Sequence, residues 1–243
     1  MEPVAPSTAR MIDYWLGGTD HFDVDVAAAK AFESVYGPCA HEFQALRGFL
    51  ARSVRYLHER GLEEFLVFGA GVPTQGNVHE VVPTARVLYT DLDPVGVELG
   101  QRILANHPRA AYTLADASDL TTIDAAQLRQ VLPGWGVEPT GIVFLGLAAF
   151  LDDEHLARTL DDLYQASAPG SLLTFDFDSD ALTNHPQALA LMGPQFQMRR
   201  PERFADLLGR WQLTAEGIGV VADWPAASPP DAEAAFFGGV ATR

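Results

Sequence analysis

Apolar side chains follow two periodicities that divide the chain. Over the first 60 residues they recur at helical spacing. Ala27, Ala28, Phe32 and Val35 form one stripe, ended by Gly37-Pro38. Phe43, Leu46, Phe49, Leu50, Val54 and Leu57 form another, from about His41 to Arg60, and Gly61 stops it. Beyond that point the pattern alternates. Short apolar runs at Phe65–Phe68, Arg86–Tyr89, Ala111–Leu114, Gly141–Leu145 and Ser171–Phe177 read as strands. The stretches Val95–Asn106, Asp124–Leu132 and Asp152–Ala166 between them are long enough for helices. This alternation predicts an α/β fold, with a parallel sheet covered by helices on both faces. Two further strand-like runs, Gln212–Val221 and Ala234–Ala241, flank the proline-rich loop Pro225–Pro230 and predict an antiparallel pair at one sheet edge. The chain is thus expected to be one domain. Residues 1–60 form a helical N-terminal cap over the carboxyl ends of the strands, and residues 61–243 form a seven-stranded, mostly parallel, Rossmann-like core.

Composition narrows the function. The chain has 243 residues, 48% of them hydrophobic, which is enough for one sizeable core. No apolar run reaches the roughly 18 residues that cross a bilayer. Acids outnumber Lys and Arg by 32 to 16, giving a formal net charge of −16. Such a surface repels phosphate backbones and anionic lipid heads, so nucleic-acid and membrane partners are not expected. The one cysteine, Cys39, has no disulfide partner and no triad-like context, so it is read as structural. With no basic start followed by an apolar stretch in Met1–Arg10, it points to a reducing cytoplasm.

The candidate chemistry lies at the strand ends. Phe65–Phe68 runs into Gly69-Ala-Gly71, where glycine permits a tight turn and lets a ligand lie against the backbone. A dinucleotide site wants a third glycine at position 74, where this chain has Thr74 after Pro73. An adenosine ligand without a pyrophosphate fits better. Asp91 ends the next strand, 22 positions after Gly69, where a carboxylate can accept both ribose hydroxyls. Its other reading, capping the helix that opens at Pro94, is the preferred one for Asp93. Asp116 ends the third strand, where an adenine amino group often sits, and Asp119 reads as a loop or cap residue on pattern alone. Asp176 is a possible cleft residue, whereas Asp178 and Asp180 read as solvated. His79-Glu80-Val-Val-Pro83 fails the zinc pattern at its last position, so no metal is expected. The aromatics Phe196, Phe204 and Trp211 read as packing, within a segment, Pro194–Trp211, that looks apolar and exposed.

The opening Pro6-Ser-Thr-Ala-Arg10-Met-Ile-Asp13-Tyr14-Trp-Leu-Gly17-Gly18-Thr-Asp20-His-Phe22 resembles that of an actinobacterial S-adenosyl methyltransferase family. So do Phe49-Leu-Ala-Arg-Ser-Val-Arg-Tyr-Leu, Gly71-Val-Pro-Thr-Gln-Gly-Asn-Val-His-Glu80, Asp91-Leu-Asp93-Pro94 and the strand after Ala168-Pro-Gly170-Ser. The resemblance covers nearly the whole chain. It implies the class I methyltransferase fold, S-adenosylmethionine (SAM) as cofactor and a small-molecule acceptor in secondary metabolism. The candidate cofactor-binding residues are thus Gly69, Gly71, Asp91, Asp116 and Arg10, and the candidate catalytic residues are Tyr14, Asp20, Asp116 and Asp119. His21 and Asp176 are further candidates on the acceptor side.

Five positions depart from the family pattern. Val67 stands where the family has an acid before its glycine turn. Thr19 replaces a lysine, and His21, Leu46 and Leu92 each replace an asparagine. Losing a charge-assisted hydrogen bond costs about 1.5–3 kcal/mol, roughly ten- to a hundredfold in affinity. Three readings follow. One is methyl transfer from SAM. A second is a SAM-independent fold that uses an acceptor amine to displace a neighbouring leaving group such as sulfate, as in aziridine closure. There Asp116 and Asp119 would hold the amine, and Arg10 and Arg47 the departing anion. The third is a non-catalytic subunit. A carrier-bound substrate and a hetero-oligomeric partner fit any of them.

Overall fold

The computed structural model describes residues 4–73, 76–226 and 233–243. Three helices come first, α1 (Thr8–Trp15), α2 (Asp23–Tyr36) and α3 (Ala40–His58). Then follow β1 (Glu64–Phe68), the single turn α4 (Val78–Val81), β2 (Arg86–Asp91), α5 (Pro94–Ile103) and β3 (Ala110–Leu114). Next come α6 (Ala125–Val131), β4 (Gly141–Phe144), α7 (Asp153–Ala166) and β5 (Leu172–Asp178). Helices α8 (Pro186–Met192) and α9 (Pro201–Leu207) precede β6 (Gln212–Val220) and β7 (Phe236–Thr242).

The seven strands form one sheet in the order β3-β2-β1-β4-β5-β7-β6. The first five are parallel, and β7 runs antiparallel to both β5 and β6. The parallel strands are buried on both faces, which is why they read as unbroken apolar runs. In β1, Phe65 and Val67 pack into a core under α3, while Leu66 and Phe68 enter a second core on the opposite face. The order reverses direction at β1, which leaves a crevice outside the carboxyl ends of β1 and β4.

Helix α3 does two jobs. Its later turns bury Phe49, Leu50, Val54 and Leu57 against the sheet, and its first turns reach over the crevice with Phe43, Leu46 and Arg47. The covering part of the N-terminal region is therefore α1 with the start of α3, rather than all of residues 1–60. Trp15, stacked on Phe43 at 4.8 Å, joins α1 to α3, and Cys39 is buried beside them.

Two expectations are corrected. The segment Pro194–Trp211 is not an exposed apolar face. Helix α9 buries Phe204 between the rings of Phe175 and Phe177, at 4.8 and 4.4 Å, and the buried Trp211 indole donates to the Leu160 carbonyl at 2.8 Å. Seven residues give too short a stripe for the helical period to stand out. Asp178 is half-buried rather than solvated. Burial, followed by the neighbouring Asp176, pushes its carboxyl well above the usual range. Position 74 and part of the loop Pro225–Pro230 lie outside the described residues.

Candidate active site

The crevice holds a cavity of about 530 Å³, well within the size of small-molecule sites. Its floor is the turn after β1. Gly69 and Gly71 have φ of +57° and +62°, a region glycine enters without strain. A Cβ on Gly69 would lie 2.4 Å from Leu147, and one on Gly71 would lie 3.0 Å from the Ala9 side chain. The turn is fixed from below. The Gly71 N–H donates to Asp91 Oδ2 at 2.8 Å, the Asp93 N–H donates to Asp91 Oδ1 at 2.9 Å, and the buried Tyr112 hydroxyl donates to the Gly71 carbonyl at 2.7 Å. Asp91 thus ties the strand tip to the turn and keeps lone pairs toward the cavity, since a carboxylate offers about four.

At the tip of β3, Asp116 also lines the cavity. Its Oδ1 accepts from the Ser118 N–H at 2.8 Å and from the Ser118 hydroxyl at 2.7 Å. Ser118, a clamp without a motif of its own, was not legible beforehand. At the tip of β4, Gly146 has φ of +70° and its N–H donates to Asp176 Oδ1 at 2.6 Å. Asp176 is only 2% exposed, and burial raises its carboxyl to about 7. From above, Arg47 donates through Nη1 to Asn77 Oδ1 at 3.0 Å, and burial lowers its pKa. Among the described residues no carboxylate pairs with it. Asn77 sits in a block quoted for its family resemblance, and nothing in its chemistry had marked it.

The other candidates lie elsewhere. Arg10 is buried and does not line the cavity. Its Nε reaches Asp25 at 2.9 Å, Nη1 reaches Asp93 at 2.8 Å and Nη2 reaches the Ala5 carbonyl at 3.0 Å. It staples α1 to α2 and to the N-terminus of α5, where Asp93 caps the helix by accepting from Val95 at 2.9 Å. Tyr14 packs edge-on to His21 at 5.4 Å. Asp20 and His21 are drawn to the buried Asp13, whose Oδ2 accepts the Asp20 N–H at 2.8 Å and lies 3.0 Å from His21 Nδ1. Asp119 is exposed and accepts from the Thr121 hydroxyl at 2.6 Å and its N–H at 3.0 Å, bonds that lower its pKa. It caps its own turn, so Asp116 and Asp119 do not meet in the cavity. Of the five departures, Val67, Leu46 and Leu92 line the cavity, whereas Thr19 and His21 do not.

SAM fits the donors and acceptors present: Asp91 and Asp116 line the cavity as acceptors and Arg47 as a donor, the kinds of group that its hydroxyls, amino group and carboxylate require. Among the described residues no group of three or more His, Cys, Asp or Glu could hold a metal. No helix of the described residues is long and apolar enough to cross a membrane.

The profile of a family described as S-adenosyl methyltransferase matches residues 1–243. No curated protein matches the chain. Among solved structures, a candidate methyltransferase from Thermobifida fusca YX is 29% identical, with a TM-score of 0.88 over 98% of this chain and 95% of that one. A DUF574 family protein from Streptomyces avermitilis MA-4680 is 26% identical, with a TM-score of 0.85 over 98% of both chains. The N-methyltransferase NodS from Bradyrhizobium japonicum WM9, in complex with S-adenosylhomocysteine, shares the fold at 14% identity, with a TM-score of 0.54 over 97% and 98% of the two chains. Profile, strand order and glycine-turn crevice agree: the chain belongs to the S-adenosyl methyltransferase family and is a methyltransferase-like enzyme of class I fold.

Proposed function

We propose that the protein binds SAM in the crevice and methylates a small molecule of secondary metabolism. The observation that carries this is the pinned turn: Asp91 holds Gly71 and still faces the cavity with acceptor capacity. SAM, when bound, supplies an electrophilic methyl group. The chain supplies the rest. Asp91 accepts from the ribose hydroxyls and Asp116 from the adenine amino group. Arg47, steadied by Asn77, takes the methionine carboxylate. Leu145, Leu147, Phe150 and Leu151 exclude water and leave room for the acceptor.

A second reading has one observation in its favour. Val67, Leu46 and Leu92 put apolar groups where the family pattern is polar, and all three line the cavity. That favours displacement within the substrate, without SAM. In this reading Asp116 alone would hold the amine, because Asp119 faces away, and Arg47 would receive the departing anion. Isothermal titration with SAM and S-adenosylhomocysteine separates the two. Micromolar binding is expected. No heat at millimolar ligand would overturn methyl transfer and leave the second reading.

A further inference from the structure

The half of the cavity beyond the glycine turn is walled by Leu145, Leu147, Phe150 and Leu151, and Asp176 is the ionisable side chain among them. It is almost wholly buried, and Gly146 occupies one of its oxygens. Among the described residues no cation pairs with it. Arg199, near the same end of β5, is spent on Asp153 at 2.8 Å and on the carbonyls of Ala148 and Leu151 at 2.6 and 2.5 Å. The buried arginines Arg10 and Arg199 each have a carboxylate partner of their own. An uncompensated buried carboxylate is costly, and a cation arriving with the ligand offsets that cost while a neutral hydroxyl does not.

We propose that Asp176 recognises the acceptor, and that the acceptor is a primary or secondary amine carried on an apolar body. The amine binds as its ammonium ion. One N–H⁺ proton passes to the Asp176 carboxylate, and the freed lone pair on nitrogen becomes the nucleophile; the ammonium and the carboxylate are both neutralised and nothing else is consumed. The raised carboxyl of Asp176 makes it a better proton acceptor than an ordinary aspartate. The net charge of −16 draws cations toward the protein. The methyl-accepting role of the nitrogen rests on the proposed function above; the recognition of the amine does not.

The test uses two probes of one shape, 2-phenylethylamine and 2-phenylethanol, titrated into the intact protein with and without S-adenosylhomocysteine. The amine is expected to bind about tenfold tighter or more, the value of a charge-assisted hydrogen bond. D176N should erase that preference while leaving affinity for S-adenosylhomocysteine within about twofold, a separation that general misfolding would not produce. Should D176N fail to fold, the wild type still decides, because its preference for the amine should grow from pH 6 to pH 8 as the carboxyl ionises near 7. The charged groups around Asp176 are Asp178 on its own strand, Arg199 beyond it and Arg47 on α3; β4 and β7 bring the uncharged Gly146 and Gly238. Equal affinity for the two probes, absence of binding by both, or a preference that survives D176N would overturn the proposal. Amine binding without S-adenosylhomocysteine binding would overturn methyl transfer alone.

Discussion

The two halves of the crevice are built on opposite principles. At the tips of β1, β2 and β3 the acids are tethered: Asp91 accepts two backbone N–H groups, and Asp116 takes a hydroxyl and an N–H from one serine. At the tips of β4 and β5 the wall is apolar, and one buried acid, Asp176, is held by the Gly146 N–H from the turn after β4 and by its own backbone N–H. The first half is an aligned set of acceptors whose orientation was settled by folding. The second holds a charge in a dry place and waits for a partner. The contrast teaches where specificity resides. On the proposed function, a nucleoside half can be shared by proteins with different acceptors, whereas the desolvated half selects.

The sharpest way to break the first half is at its floor. G69A forces a side chain into a left-handed turn and against Leu147, at a cost of about 2–4 kcal/mol in stability, which thermal unfolding would register. D91A should fold but lose about a hundredfold in affinity for S-adenosylhomocysteine by titration, because it removes the proposed ribose acceptor and frees Gly71 together. The second half answers differently. The folded pKa of Asp176 is raised to about 7, above its unfolded value, so wild-type stability is full below about pH 4 and falls as pH rises toward 7. D176N removes that penalty. Its gain in melting temperature over wild type should be near zero at pH 4, grow to pH 7 and then level off, on the order of a few kcal/mol in stability. Smallest of all, R47M should lower SAM affinity by about tenfold while raising stability by about 1 kcal/mol, since it replaces a buried cation that among the described residues has no carboxylate in ion-pair contact.

The same contrast explains what could be read in advance. The nucleoside half is written locally: a strand, Gly69-Ala-Gly71, and an acid 22 positions on, all within one chain segment. The parallel strands were legible because burial on both faces leaves an apolar run. The acceptor half is assembled from the β4 tip, the β5 tip and the loop through Phe150, and no spacing links those residues. Arg10 shows the other limit. A residue inside a recognisable motif proved to be an internal staple, because only coordinates reveal that Asp25 and Asp93 use its donors. Asp119 lay three residues from a cavity acid yet turned outward to cap Thr121. Helices α8 and α9, at seven residues each, are shorter than the window in which a helical stripe can be distinguished.

The placement of β7 has a consequence for synthesis. Residues 236–242 lie between β5 and β6, with seven register pairs to β5. As the chain leaves the ribosome, β6 emerges before its partner, since among the described residues its one neighbour in the sheet is β7, the strand still inside the tunnel. The five parallel strands can assemble as they appear, but the exposed edge of β5 and the unpaired β6 must both wait for one late segment. That interval is when this protein is most open to chaperones and to aggregation.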